Sequence, residues 1–244
     1  MRAHRDVIAY LSRRVVEWRG RGVAGARKWS AGVVTLAVCM SWLTGCAKPD
    51  YNYAQLSPST APAGNVYFKV PQGWTQFTAD DISKAESSWS ADPTAKNLLA
   101  ATAWQDAYDA DPRPSLIHVL GTQTPQAPIV FASLRTVFQA ESDGATTAAL
   151  RDMVVPLSTL GSNVHILTDD KISQGPARGV HVVFSYVPAA GGPEETVDQT
   201  ALLSGGKGAV YLLLVRCSSE CYTKNRDAIH SVTASYTIQE DPNG

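Results

Sequence analysis

Two cysteines separated by three residues form the local pattern best able to do chemistry in this chain of 244 residues. They bound the segment Cys217-Ser-Ser-Glu-Cys221. Such a pair can close into a disulfide, remain as redox-active thiols or contribute to a metal site. A Cys-x-x-Cys spacing would favour redox or metal chemistry, whereas this pair has one more intervening residue and no histidine nearby. A structural disulfide is therefore the favoured interpretation, provided that the chain folds in an oxidising compartment.

The histidines and serines form no recognisable catalytic or metal-binding pattern. His118, His165, His181 and His230 lack a second histidine at the spacing of a zinc site. His118 and His181 fall in apolar segments and could face each other in a sheet, although a buried structural imidazole is favoured. No serine stands in the Gly-x-Ser-x-Gly pattern of a hydrolase. We therefore predict no catalytic residue, no metal ligand and no cofactor.

The first 45 residues have the layout of an export signal. Basic residues, the last of them Arg27 and Lys28, precede an apolar run from Ala31 to Leu43. A run of about 13 residues suits a signal peptide and is too short for a membrane-spanning helix, which needs about 20. Residues 1–45 are predicted to be a signal peptide. Translation starting further in, for instance at Val23, is an open alternative.

The apolar run ends in Leu43-Thr44-Gly45-Cys46, which resembles the lipobox of bacterial lipoproteins. In those proteins the small residue admits the signal peptidase and the cysteine thiol receives a diacylglycerol. The resemblance implies cleavage between Gly45 and Cys46 and lipidation of Cys46; an ordinary signal peptide or an uncleaved anchor is the alternative. Because two acyl chains hold a protein stably on a bilayer, we predict a protein anchored to the cell membrane and facing the extracytoplasmic side.

Export also favours one chemistry for the remaining cysteines. An exported protein meets an oxidising environment, where paired thiols usually close. In this scheme Cys39 leaves with the signal peptide and Cys46 carries lipid. We therefore predict a disulfide between Cys217 and Cys221.

Composition and charge restrict the class of protein. Hydrophobic residues make up 44% of the chain and charged residues 18%, which is a globular composition and excludes a fully disordered chain. The formal net charge of -1 conceals an asymmetry: residues 1–45 sum to +6 and the remainder to -7. A body this acidic excludes nucleic acid as a partner.

A tether and a single domain follow the predicted signal. Residues 46–64 comprise the lipidated cysteine and a segment with three prolines, which predicts a flexible tether. As a flexible chain, this segment spans about 23–25 Å, so the domain would float near the membrane rather than lie on it. Packing of Tyr51 and Tyr53 back onto the domain is the alternative. Residues 65–244 show no internal repeat or composition break and are predicted to form a single domain.

The hydrophobic pattern of this domain predicts both strands and helices. We predict strands over 66–70, 116–120, 128–138, 164–167, 178–187, 197–203 and 209–217, and helices over 79–88, 94–107, 146–155 and from Ser218 or Ser219 to Ala234. Residues 180–187 and 210–215 are apolar on both faces, which is typical of covered central strands. The turn at 204–208 is predicted to be a hairpin rather than a phosphate loop, and it requires antiparallel pairing. The fold class is therefore α+β, a mainly antiparallel sheet covered by helices on both faces.

The order of these elements resembles a known family. The segment Val70-Pro71-Gln72-Gly73-Trp74 separates the first strand from a helix with an acidic start, and the last strand leads into a helix containing Ile229 and Val232. This order is similar to that of the Mog/PsbP-like α/β/α sandwich, and in particular to the LpqN-type lipoproteins of actinobacteria. The resemblance covers about residues 64–240. It implies binding or scaffolding rather than catalysis and supplies no active-site residue.

These observations predict a non-enzymatic, lipid-anchored envelope protein. Its partners would be the membrane, through the lipid on Cys46, and an envelope protein or component bound by the domain. The alternative is an extracytoplasmic carrier of a small apolar ligand or lipid, which would need a sizeable apolar cavity. An enzyme would need titratable groups clustered in a cleft.

Overall fold

The computed structural model describes residues 50–56, 64–89, 102–137, 144, 146–157, 163–188 and 191–240. Gly45, Cys46 and the predicted signal peptide lie outside these residues, as does the first part of the predicted helix 94–107. Within the described ranges there are ten strands and five helices.

The ten strands are interspersed with five helices along the chain. The strands are β1 (Tyr51–Leu56), β2 (Asn65–Pro71), β3 (Thr75–Phe77), β4 (Thr102–Asp109), β5 (Ile129–Thr136), β6 (Val164–Gln174), β7 (Ala177–Tyr186), β8 (Glu195–Leu203), β9 (Ala209–Ser218) and β10 (Thr237–Gln239). The helices are α1 (Ala79–Trp89), α2 (Leu116–Leu120), α3 (Thr147–Arg151), α4 (Ser219–Lys224) and α5 (Arg226–Ser235).

Most strands belong to one antiparallel sheet. Seven strands follow the order β3-β4-β5-β9-β8-β7-β6, and every neighbouring pair is antiparallel. β9 lies fourth in this order, with a strand on either side, and it is buried along almost its whole length. Its double-sided apolar pattern therefore predicted a central strand correctly.

One face of this sheet packs against α5 and a second, smaller sheet. β1, β2 and β10 form three antiparallel strands in the order β1-β2-β10. Phe68 of β2 and Ile229 and Val232 of α5 share a buried cluster with Tyr211 and Leu213 of β9. The sequence did not predict this second sheet.

The opposite face of the large sheet packs against α1, α2 and α3. Leu150 of α3 is buried in a cluster with Val180 and Leu212. Ile82 of α1 and Val119 of α2 are buried with two strand residues, Ala107 and Ile129. The protein is thus a mainly antiparallel α+β fold.

The side chain of Gln174 connects the edge strand β6 of the large sheet to the small sheet. The Gln174 side-chain amide, at the end of β6, donates to the carbonyl of Tyr236 at 2.9 Å, and its Oε1 accepts from the Ile238 amide at 2.7 Å. The Gln174 side chain therefore supplies the segment from Tyr236 to Ile238 with hydrogen bonds of the kind that a neighbouring strand would supply.

Several predicted elements are confirmed. The structure has the strands predicted near 66–70, 128–138, 178–187, 197–203 and 209–217, the helix near 79–88 and the hairpin at 204–208. The strand predicted over 164–167 extends to residue 174. The helix predicted over 146–155 covers only 147–151, and the last helix is divided at Asn225 into α4 and α5.

Two predicted elements are wrong. Residues 116–120 are a helix rather than a strand, because the Ser115 hydroxyl accepts a hydrogen bond from the Ile117 amide and caps the first turn. Residues 102–107, predicted as helical, belong to strand β4, which pairs with β3 and β5.

Part of the predicted tether belongs to the fold. All six residues of β1 pair with β2, from Tyr51 opposite Pro71 to Leu56 opposite Val66. Ahead of β1, the Asp50 carbonyl accepts a hydrogen bond from the Gln72 amide at 2.7 Å. The interpretation of residues 51–56 as flexible linker is therefore wrong, and the pairing along β2 is the physical reason.

Candidate functional site

The disulfide between Cys217 and Cys221 connects the end of β9 to the first turn of α4. The two Cα atoms are 5.9 Å apart, and both cysteines are buried in the core beside Ile229. Ser218 caps the helix, since its hydroxyl accepts from the Cys221 amide at 3.3 Å. A crosslink buried in this way has a structural role, because attacking thiols cannot reach it readily. Of the four predicted site residues, the structure joins these two, whereas Gly45 and Cys46 lie outside the described residues.

Two loops converge on the disulfide. The Ser218 amide donates to the carbonyl of Pro125 at 2.8 Å, and the Ser219 amide donates to the carbonyl of Glu194 at 2.9 Å. Buried Glu195 pairs with the Arg216 guanidinium at 2.8 Å. Burial raises the pKa of Glu195, and the Arg216 charge opposes that rise. The crosslink thus lies where a strand, a helix and two loops are joined.

Beside the disulfide, Asp198 holds two side chains from different elements. Its Oδ1 is 2.9 Å from Nε2 of His181 on β7, and its Oδ2 accepts from the Tyr222 hydroxyl on α4 at 2.8 Å. The Asp198 side chain is 4% exposed, and that of His181 is 29% exposed. We call these three residues the histidine cluster.

The pKa values of His181 and Tyr222 in the histidine cluster are both raised. Hydrogen bonding to Asp198 raises the pKa of His181; the charges of Asp198 and Asp170 add to the rise, and burial opposes it. Burial and the Asp198 charge raise the pKa of Tyr222, so that its hydroxyl remains a donor. Among the described residues, the hydrogen bonds of His181 and Asp198 include no serine or cysteine. The cluster can exchange a proton with solvent through the partly exposed ring of His181.

The second histidine–aspartate pair organises a loop. Asp109 is fully buried, and its two oxygens accept from the amides of Asp111 at 2.8 Å and Ser115 at 2.9 Å. Nδ1 of His118 lies 2.9 Å from the same carboxylate. His118 on α2 and His181 on β7 therefore have separate carboxylate partners. The alternative that they face each other is wrong, because residues 116–120 are not a strand.

A small cleft lies between α3 and the β6–β7 hairpin. Its volume is about 210 Å³. It is lined by Thr147, Leu150, Lys171, Ile172, Arg178, Gly179 and Leu203. Binding sites for small ligands usually measure about 300–1,000 Å³, so this cleft by itself is too small for a lipid.

The outer face of the small sheet presents three tyrosines and a lysine. We call this surface the tyrosine face and define it by Tyr51, Tyr53, Tyr67 and Lys69. Ala54 is buried, and because strand side chains alternate, Tyr51 and Tyr53 point away from the core. Tyr53 is 82% exposed. Lys69 is opposite Tyr53 in the register, and its Nζ lies 4.6 Å from the centre of the Tyr51 ring. The two-residue spacing of Tyr51 and Tyr53 is the sequence signal that could have indicated this face.

The described residues contain neither a cluster of metal ligands nor a helix suited to cross a membrane. No group of three or more histidine, cysteine, aspartate or glutamate side chains is arranged to hold a metal ion there. No helix in the described ranges has the length and apolar character needed to cross a bilayer.

Comparisons with known proteins find similarity among solved structures alone. No protein-family model matches the chain, and no curated protein gives a significant match. Similar structures include LpqN of Mycobacterium tuberculosis, described as involved in cell envelope biogenesis, at 13% identity over 78% of this chain and 91% of that chain, with a TM-score of 0.43.

Two further structures represent the other families named by the sequence resemblance. The Ran-binding protein Mog1p of Saccharomyces cerevisiae is 10% identical over 78% of this chain and 96% of that chain, with a TM-score of 0.40. Cyanobacterial PsbP from Synechocystis is 8% identical over 79% of this chain and 96% of that chain, with a TM-score of 0.42. With TM-scores below 0.5, these likenesses carry no conclusion about what this chain binds.

Proposed function

We propose that this protein is an exported lipoprotein, held on the extracytoplasmic side of the cell membrane by a diacylglycerol on Cys46. The observation that carries the proposal is the disulfide between Cys217 and Cys221. Disulfides persist in oxidising compartments and are rare in the cytosol. The segment Leu43-Thr44-Gly45-Cys46 supplies the anchor, with cleavage before Cys46.

The role proposed for the folded domain is binding rather than catalysis. The exposed Tyr53 and its neighbours on the tyrosine face support this role, because exposed aromatic residues are frequent anchors of interfaces. Among the described residues, the histidine cluster includes no serine or cysteine, and the cleft beside Lys171 is small. We further assign the domain to the Mog/PsbP-like α/β/α sandwiches of the LpqN type. The element order from the turn at Gly73 to α5 supports this assignment.

Metabolic labelling tests the lipid anchor. Cells expressing the full-length chain would be fed a palmitate analogue, and the wild type would be compared with C46S and with C39S as a matched cysteine control. We expect label on the wild type and C39S and none on C46S. Equal labelling of C46S, or an unlabelled wild type, would refute the anchor.

Site-specific crosslinking in living cells tests the binding role. A photoreactive residue at position 53 would lie on the tyrosine face, and one at position 206 would lie on the exposed hairpin turn. We expect adducts with an envelope protein or lipid from position 53 and few from position 206. Equal yields from both positions would contradict a binding role for the tyrosine face.

A further inference from the structure

The distance between the proposed lipid and the folded domain is short. Residues 47–50 are all that separates Cys46 from β1. A fully extended chain advances at most about 3.6 Å per residue, so the Cα atoms of Cys46 and Tyr51 are at most about 18 Å apart. That limit is below the span of about 23–25 Å expected for a flexible tether over 47–64. Pairing of β1 with β2 therefore brings the domain close to the lipid-bearing residue.

The surface that begins at this end of β1 is the tyrosine face. Tyr51 is the first residue of β1, and the exposed Tyr53 follows two residues later on the same side. The register of the small sheet places Lys69 opposite Tyr53 and Tyr67 opposite Gln55. The opposite side of the same strands is unavailable to a partner, because Ala54 and Phe68 are buried there in the core.

The chemistry of this face suits the boundary between water and lipid. Tyrosine combines an apolar ring with a polar hydroxyl and is enriched at membrane interfaces. A lysine side chain can lay its carbon stem along an apolar surface while its charge stays among the headgroups. Asp50 and Lys69 carry opposite charges at this end of the sheet, so the rings rather than net charge provide the attraction.

We propose that the tyrosine face lies against the headgroups of the bilayer that holds the lipid on Cys46. The inference rests on the proposed lipid anchor and adds an orientation to it. The large sheet and the histidine cluster are then held at a set orientation above the membrane instead of tumbling at the end of a tether.

Hydroxyl-radical footprinting of the lipidated protein tests this orientation. The mature protein would be extracted from cell membranes and reconstituted into phosphatidylcholine vesicles. It would be compared with a variant carrying a flexible Gly-Ser spacer of about 20 residues between Cys46 and Asp50, which adds about 25 Å of reach. Mass spectrometry would report both the lipid on Cys46 and the oxidation of each tyrosine. Buried Tyr211 serves as the control for folding in both proteins.

In vesicles we expect Tyr53 to be oxidised about threefold less in the native-length protein than in the spacer variant, because a ring among headgroups loses contact with bulk water. A lipidated protein with equal oxidation of Tyr53 in both forms overturns the orientation and leaves the anchor intact. An N-terminal peptide without lipid overturns the anchor and the orientation together. A double variant that keeps Tyr53 as the reporter, Y51S/Y67S, should raise the oxidation of Tyr53 in vesicles towards the level of the spacer variant.

Discussion

Nε2 of His181 lies 2.9 Å from Oδ1 of Asp198, across two neighbouring strands of the large sheet. Asp198 raises the pKa of this imidazole, and the charge of Asp170 contributes. Because the folded-state pKa lies above the ordinary value of about 6.5, protonation of His181 stabilises the fold. That contribution is fully present below the unfolded-state pKa and is lost as the pH rises through the folded-state pKa.

The first prediction concerns this pH dependence. The loss of unfolding free energy caused by H181Q should be largest below about pH 6.5 and should shrink as the pH rises. Urea unfolding at a series of pH values measures it, with H230Q, an exposed histidine on α5, as the control. In an NMR titration, D198N should lower the pKa of His181. A loss that grows with pH, or a His181 pKa unchanged in D198N, would contradict the pairing.

The second prediction concerns the disulfide. Loss of the crosslink in C217A/C221A should lower the unfolding free energy by about 2 kcal/mol, the value that the chain-entropy model gives for a five-residue loop. Chemical denaturation of the oxidised wild type, the reduced wild type and the variant measures this loss. Thiol titration of the denatured, unreduced mature protein should find no free thiol at either position. Two free thiols there would show that the bridge does not form.

The third prediction compares Asp109 with His118. D109A should lower the unfolding free energy by about 3 kcal/mol, because the amides of Asp111 and Ser115 lose their acceptor in a buried site. H118A removes a partly exposed partner of the same carboxylate and should cost less than about 1 kcal/mol. Urea unfolding of both variants tests the order. Equal losses would mean that the loop does not depend on the Asp109 carboxylate.

The fourth prediction concerns a glycine in β7. A Cβ atom at Gly179 would lie 1.9 Å from the carbonyl oxygen of Ala201 in the adjacent strand, so a side chain requires the two backbones to separate. G179A should cost about 3 kcal/mol. G206A is the matched control, since a Cβ there meets nothing within 4 Å, and it should change stability by less than about 0.5 kcal/mol. Thermal unfolding of both variants measures these changes in stability. A neutral G179A would contradict the close approach of the Gly179 and Ala201 backbones.

Strong local patterns made much of the large sheet predictable. Residues 210–215 are apolar on both faces, and β9 is central in the sheet. Glycines at 205, 206 and 208 predicted the hairpin that joins β8 to β9. The cysteine spacing indicated the crosslink that the structure contains between Cys217 and Cys221.

Tertiary contacts explain the elements that were predicted wrongly. β4 carries buried polar residues such as Asp106, which accepts hydrogen bonds from Gln76 and Tyr108, and these polar positions hide the alternation of a strand. The five apolar residues 116–120 suit a strand or a helix equally, and the cap from Ser115 favours the helix. β1 has little apolar character of its own, and its pairing with β2 is not visible in its sequence.

The histidine cluster was missed because its members are distant in sequence. His181 and Asp198 are brought together by the register that pairs Val183 with Asp198. Tyr222 joins them only because α4 turns back over β8 after the disulfide. Side chains alternate along a strand, so His181 lies on the same face as Val183. Once the pairing of Val183 with Asp198 is known, this alternation places His181 and Asp198 on one face.

The pairing of β1 with β2 also has a mechanical consequence. Hydrogen bonds in an antiparallel pair run perpendicular to the strands. A pull directed along β1 from its first residue, Tyr51, therefore strains the bonds between Tyr51–Leu56 and β2 together, in shear, instead of opening them one at a time. β1 therefore resists traction applied ahead of it, because all of its hydrogen bonds to β2 share the load.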